Sequence, residues 1–334
     1  MDLIIKPTQR CNFCCKFCSS NKIDSSGSSI LPLESIYAII DKNNINTIIV
    51  NGGDPLMVDP QYYYNLIQYL DNNSPHTSLA FTTNLWDFYL HPEKWINLFK
   101  NPKLHITTSF QYGNERLIKQ KYLIDNSNIF DENKFLKIID LFYNKIGYIP
   151  NFISVITHNN EDKILDTVLL AKKLNTSCKI NPAVQSGRNK YFYPIYKAYE
   201  KYIDIIDAGL KQYEYNSNVL KDVLLNKNQI CPHCRNCWKY IRAISPNQLV
   251  HSCGCYNDDH YDNISNNKKT YELHSYNEKE ILLDHKFLKK ECLQCQMYSL
   301  CNTCFKYMDE IRYSNSIEEH CNNMQKLLPR FEKL

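Results

Sequence analysis

Six short β-branched runs, at 2–6, 46–51, 78–83, 104–109, 151–157 and 177–182, are separated by longer segments with helical spacing. Those segments are 32–43, 60–71, 92–100, 132–145 and 160–174, and in one of them Phe135, Ile138, Ile139 and Phe142 share a helix face. Strand–helix alternation of this kind builds a parallel sheet from βα units. In such folds the loops at the C-terminal strand ends vary without disturbing the core, so a functional site is expected there.

The cysteines say what that site holds. There are fifteen, with four in residues 11–18, ten in residues 231–321, and Cys178 alone between. The N-terminus Met-Asp-Leu-Ile-Ile-Lys is no signal peptide. In a reducing cytosol such cysteines are metal ligands rather than disulfides. The polarised placement implies two metal-binding regions separated by an ordinary fold. In Cys11-Asn-Phe-Cys-Cys15-Lys-Phe17-Cys18, three thiolates on one loop suit a four-iron, four-sulfur cluster, which usually takes four protein sulfurs. With three, one iron keeps an open position, as a catalytic metal site must. Both 11-14-18 and 11-15-18 can be written. Structural zinc would need a second knuckle nearby, and none lies within the next hundred residues.

Composition removes other classes. A hydrophobic content of 43% is ordinary for a globular protein, and 13% aromatic residues allow a large core. No apolar run reaches the length of a membrane span. The formal charge of +4 is small and no Lys/Arg block stands out, so nucleic acid is not an expected partner.

The spacing Cys11-x3-Cys15-x2-Cys18, with Phe17 before the last cysteine, resembles the signature of the radical S-adenosylmethionine (SAM) enzymes. Only this spacing matches the family, which leaves Cys14 a bystander. The resemblance implies a partial (βα)6 barrel of the TIM type, with SAM on the open iron. Gly52-Gly53-Asp54-Pro55 after the second run resembles the family's Gly-Gly-Glu-Pro, which grips the SAM amino group, with Asp54 in place of Glu. Thr82-Thr83-Asn84 resembles a common third-strand end. Ser109 and Lys121, with Arg116 a competitor, answer to the family's serine and basic residue on the SAM carboxylate. Gln111 stands where relatives carry Asp, a departure at the ribose contacts, and Arg188 lies in the sixth-strand region where an Arg helps bind SAM. Each of these polar residues has a plain alternative as a helix cap or a solvated loop residue.

From residue 231 the cysteines resemble the SPASM extension of radical SAM enzymes, a small cysteine-rich domain with two auxiliary 4Fe-4S clusters. By family spacing, Cys292, Cys295, Cys301 and Cys321 hold the outer cluster, and Cys231, Cys237, Cys253 and Cys304 the inner one. Cys234 and Cys255 are alternatives for the inner cluster. Gln248 occupies the usual glycine place in Pro246-Asn247-Gln248, which still reads as a hairpin turn, and the final pair Cys301-x2-Cys304 is one residue short. Paired zinc knuckles at Cys231–Cys234 and Cys292–Cys295 are the competing reading. The expected division is 1–190 barrel, 191–230 helical connector rich in packing tyrosines, and 231–334 SPASM domain.

The resemblance implies that the reduced cluster cleaves SAM to a 5′-deoxyadenosyl radical, which takes a hydrogen atom from the substrate. The auxiliary clusters would accept an electron, giving a crosslink or dehydrogenation, or a thiol would return a hydrogen atom, giving epimerisation. Cys14, Cys178, Cys234 and Cys255 are the thiols left unassigned, and a lone Cys178 is most often a small core residue. SPASM enzymes most often modify peptides, so a short precursor peptide is the expected substrate, in the cytoplasm. The first strand begins at Asp2, which leaves no room for an N-terminal leader-binding domain, so a separate leader-binding protein or direct binding is expected. Flavodoxin or ferredoxin would donate the electron. The rival readings are a radical SAM enzyme acting on a small molecule and a non-catalytic iron–sulfur or zinc protein.

Overall fold

In the computed structural model, residues 1–19, 29–224, 240–251, 254, 294–297, 307, 311, 314 and 316–334 are described. Six parallel strands form where the β-branched runs lie: β1 (Asp2–Ile5), β2 (Thr47–Val50), β3 (Ser78–Thr82), β4 (Leu104–Ser109), β5 (Asn151–Ile156) and β6 (Cys178–Pro182). They pair in sequence order, β1 with β2 through to β5 with β6. The crossovers are α1 (Leu33–Lys42), α2 (Pro60–Asn73), the short α3 (Trp86–Leu90) with α4 (Pro92–Phe99), α5 (Glu132–Ile146) and α6 (Ile164–Lys173). Local chemistry sets their ends. Asp59 caps α2 by accepting from the Gln61 N–H, with Pro60 at the first helical position. Asp131 caps α5 through the Lys134 N–H, and Gly147 ends it at φ 100°.

Side chains alternate across the sheet. Leu3, Ile5, Ile48, Val50, Leu79, Phe81, Ile106, Phe110 and Phe152 are buried on the helix-covered face, where Phe110 and Phe152 meet Phe135 of α5. The opposite parity, including Ile4, Ile49, Asn51, Asn84, Ser109, Gln111 and Asn181, lines the concave face. A parallel sheet coated by helices on one side and open on the other is a half-barrel, and the α/β class expected from the alternation holds.

The sheet is wider than six strands. The segment after residue 240 adds β7 (Ile241–Ile244) parallel to β1, with Ile4 opposite Ala243, and β8 (Val250–His251) antiparallel to β7. An uncovered β1 would present a row of unpaired backbone groups, and this hairpin caps it. Ile4, Ile49, Ile241, Ala243 and Tyr240 form a small apolar cluster on the concave side. The hairpin turn falls at Pro246-Asn247-Gln248, with Gln248 at φ 64°, a left-handed conformation that usually selects glycine. A 3.0 Å hydrogen bond from Ser35 Oγ of α1 to Gln248 Oε1 offsets that cost.

The other sheet edge, β6, is covered by α7 (Ile195–Asp207) and α8 (Tyr215–Leu224). Buried Glu214 accepts from the backbone N–H groups of Ile180, Asn216 and Ser217 and from the Ser217 hydroxyl. Tyr193, Tyr199 and Tyr202 are buried while Tyr191 is exposed. Near the end of the described residues, α9 (Ile317–Phe331) packs on α7, where Arg330 pairs with Asp204 and Asp207. No described helix is long and apolar enough to cross a membrane.

Candidate active site

The loop carrying Cys11, Cys15 and Cys18 leaves β1 and is held by four strand ends. At the end of β2, Gly53 N–H donates to Thr8 O at 2.9 Å and Asp54 N–H to Arg10 O at 2.8 Å. This contact explains the two glycines. A Cβ on Gly53 would sit 2.1 Å from Arg10 O, and one on Gly52, at φ 126°, would sit 2.6 Å from Thr8 O. The close approach that only glycine permits is thus to this chain's own backbone. After β4, residues 115–119 run against the loop: Cys14 N–H donates to Leu117 O, Lys16 N–H to Glu115 O, and Lys119 N–H to Asn12 O. After β6, the Arg188 and Asn189 N–H groups both donate to Cys18 O, and Ser186 Oγ to Ser19 O.

The β3 end reaches a ligand candidate directly. Asn84 Nδ2 donates to Asn12 Oδ1 at 2.6 Å and lies 3.8 Å from Cys11 Sγ, while the Phe13 N–H donates to the same sulfur at 3.3 Å. Two N–H donors on one sulfur favour its thiolate form. Burial works against that form. It pushes the Cys11 thiol well above its ordinary range, with Asp54 and Cys15 adding like charge. Burial also raises Cys15, and the Arg116 guanidinium opposes the shift. Thiols in this state need a cationic centre to ionise, and iron, if bound here, would supply one. Among the described residues no three His, Cys, Asp or Glu side chains are arranged for a single ion. The thiols of a cubane each meet a separate iron, so they need not converge on one point.

Asp54 is 2% exposed. Its carboxylate accepts from the backbone N–H groups of Leu56 (2.9 Å) and Asn84 (2.8 Å) and from Thr83 Oγ1 (2.9 and 3.1 Å). Burial nonetheless pushes its pKa up to about 6. Pro55 opens the 3₁₀ turn Pro55–Met57 that Asp54 caps. At the β4 end, Arg116 Nη2 donates to Ser109 Oγ at 2.6 Å, and its guanidinium lies 5.0 Å from the Phe13 ring centroid and 5.2 Å from that of Phe130. Lys121 has an exposed side chain, with its ammonium over Tyr122. Phe17 is half-buried against the core.

Several buried polar atoms around this loop have no partner among the described residues: Asn12 Nδ2, Asn51 Oδ1, Gln111 Nε2 and Arg116 Nε. Buried polar atoms are normally satisfied. Three orphaned donors and one acceptor around the concave mouth fit a polar ligand carrying ammonium, carboxylate and hydroxyl groups, as SAM does. The sequence reading missed Asn51 and Asn12; the parity of Asn51 with Ile49 was the available signal.

The rest of the cysteine pattern is only partly visible. Cys295 and Cys321 are described, half-buried and free of disulfides. Cys231, Cys234, Cys237, Cys253, Cys255, Cys292, Cys301 and Cys304 lie outside the described residues. Cys178 opens β6 at the end remote from the loop and is buried.

A solved structure of anSMEcpe, an anaerobic sulfatase-maturating enzyme, with bound AdoMet is similar over 99% of this chain and 98% of that one, at 17% identity and a TM-score of 0.67. The same enzyme with AdoMet and the Cp18Cys peptide matches at 18% identity over 99% and 98% of the two chains, with a TM-score of 0.65. Streptococcus suis SuiB bound to precursor peptide SuiA matches at 14% identity over 92% of this chain and 72% of that one, with a TM-score of 0.61. At these identities the likeness is one of fold. No curated protein matches by sequence. The family model of the radical SAM superfamily matches residues 5–171, half the chain, taking in the cysteine loop and strand ends β2 to β5. The chain belongs to the radical SAM superfamily, whose members use a 4Fe-4S cluster and SAM.

Proposed function

We propose that this enzyme takes a hydrogen atom from a short precursor peptide, as a peptide-modifying radical SAM enzyme of the SPASM type. The observation that carries the reading is the cysteine loop itself, clamped by four strand ends over a concave face of orphaned polar atoms. When bound, the cluster and SAM supply reductive cleavage of a carbon–sulfur bond and thereby hydrogen-atom abstraction. Cys11, Cys15 and Cys18 hold the cluster, and the Asn84 and Phe13 donors orient Cys11. Arg116 and Ser109 receive the carboxylate, because Arg116 already bonds Ser109 and keeps Nε unused, while Lys121 is exposed over Tyr122. The β2 end from Asn51 to Pro55 faces the amino end, Gln111 the ribose, and Arg188 fixes Cys18 through its backbone. Phe17 and the half-buried strand-end residues exclude water.

Cys231, Cys237, Cys253 and Cys304, with Cys292, Cys295, Cys301 and Cys321, are assigned to two auxiliary clusters on the resemblance of this region to the SPASM pattern. A peptide substrate is supported by the fold neighbours whose structures contain peptides. A separate leader-binding protein, a flavodoxin or ferredoxin donor and a cytoplasmic setting complete the proposal.

The test is anaerobic reconstitution of wild type and a Cys11/Cys15/Cys18→Ala variant, with iron counting and a 5′-deoxyadenosine assay. About twelve irons falling to about eight, with SAM cleavage by wild type alone, is the expected result. Stoichiometric zinc without SAM cleavage would overturn it. A mass change on a candidate precursor peptide separates peptide from small-molecule chemistry.

A further inference from the structure

We infer that Asn51, and not Asp54, receives the ammonium group of SAM, and that Asp54 is a positioning residue acting on Cys11 through Asn84. The inference rests on the proposed function and refines its site.

A carboxylate offers roughly four acceptor directions. On Asp54, Oδ1 takes the Leu56 N–H and the Thr83 hydroxyl, and Oδ2 takes the Asn84 N–H and shares that hydroxyl. All three donors belong to this chain. Both oxygens of Asp54 are thus already engaged by internal donors, which sets it apart from an acceptor without a partner. Aspartate is also one methylene shorter than the glutamate of the family motif, which draws the carboxylate back onto the backbone of the β2 and β3 ends.

Asn84 shows what that retraction achieves. Its N–H is held by Asp54, its Oδ1 caps Trp86 N–H at 2.8 Å, and its Nδ2 is thereby aimed at Asn12 Oδ1 and Cys11 Sγ. The next residue, Leu85, is buried at φ 59°, a conformation a branched apolar side chain rarely adopts, so this corner is held in place by its hydrogen bonds. Asp54 is the hub of that corner.

The unfilled acceptor lies three residues earlier. Asn51 Oδ1 is buried and accepts nothing among the described residues, and Asn51 shares the concave parity of Ile49. Its Nδ2 points toward Gly254, whose added Cβ would lie 3.9 Å away, so the amide is flanked on that side. A lone acceptor oxygen on the concave face, beside the cysteine loop, suits a cationic donor.

The experiment measures Asn51→Ala and Asp54→Asn side by side. The readouts are the urea midpoint of the iron-free protein, iron content after reconstitution, and equilibrium dialysis with SAM and its desamino analogue. N51A should bind SAM about tenfold more weakly and the desamino analogue as wild type does, because only the amine contact is lost. D54N places an amide N–H against the backbone donors, so it should lower the urea midpoint and iron content. Molecules of D54N that retain the loop cluster should still prefer SAM over the desamino analogue by the wild-type factor. Unchanged SAM binding by N51A overturns the inference. So does a D54N protein of wild-type midpoint and iron content that no longer distinguishes the two ligands. Wild type that binds neither ligand would instead refute the proposed function itself, and this assignment with it.

Discussion

Arg116 donates a 2.6 Å hydrogen bond to Ser109 Oγ while its guanidinium lies over the rings of Phe13 and Phe130, on the side of the loop that carries Cys15. A buried cation held by stacking on two rings is set in one orientation, with its unused Nε fixed in place.

Replacing Arg116 should therefore weaken SAM binding far more than replacing Lys121. Arg116→Lys keeps a charge but loses the planar fork, and about tenfold weaker SAM binding is expected, corresponding to about 1.4 kcal/mol. Lys121→Ala should stay within about twofold, as an exposed side chain engaged with Tyr122. Equilibrium dialysis on reconstituted protein checks both; the reverse ranking would return the carboxylate to Lys121.

Gly53 is constrained by space and Gly147 by conformation alone. Gly53→Ala drives a methyl toward Arg10 O and Gln9 O, backbone atoms that cannot swing aside, and should cost about 1–3 kcal/mol and reduce iron loading. Gly147→Ala, at φ 100° with nothing within 4 Å of its Cβ, should cost about 1 kcal/mol and leave iron loading intact. Urea denaturation and iron analysis separate the two.

Burial raises the Glu214 pKa above its ordinary 4.5, against four hydrogen bonds that lower it. The native state then holds this proton more tightly than the unfolded chain does, so its contribution is present below pH 4.5 and lost as pH rises through the native value. The stability of wild type relative to Glu214→Gln should accordingly fall as pH rises above the ordinary carboxylate value. A difference in urea midpoints that grows with pH would contradict this.

Cys178 sits at the start of β6, a strand of five residues, which places it about 13 Å from the end whose loop meets Cys18. Cys178→Ala should leave SAM cleavage and peptide product unchanged and cost about 1 kcal/mol of stability. Loss of product with SAM cleavage retained would make Cys178 a hydrogen-atom donor after all.

Gln248→Gly trades a relieved left-handed backbone, worth about 1–2 kcal/mol, against the lost Ser35 hydrogen bond, worth about 0.5–1.5 kcal/mol. A net change within about 1 kcal/mol is expected. Adding Ser35→Ala to Gln248→Gly should then cost almost nothing further, which a double-mutant urea series reads directly.

The amino-acid pattern by itself determined the six strands and their crossovers, because period-2 and period-3.6 burial are local properties written into each segment. It also determined the cysteine loop, since ligand spacing is a matter of consecutive residues. Which residues meet across strands was decided only by the tertiary structure. That Arg116 meets Ser109 while Lys121 lies over Tyr122 depended on where a loop of irregular backbone turned, and spacing from Ser109 carries no such information. The seventh parallel strand came from residues 241–244, more than two hundred positions from the β1 it pairs with, a long-range pairing no window of sequence contains. Asp54 resembled a ligand by its place in a motif; its three internal donors come from Leu56, Thr83 and Asn84, and only folding brings the ends of β2 and β3 together.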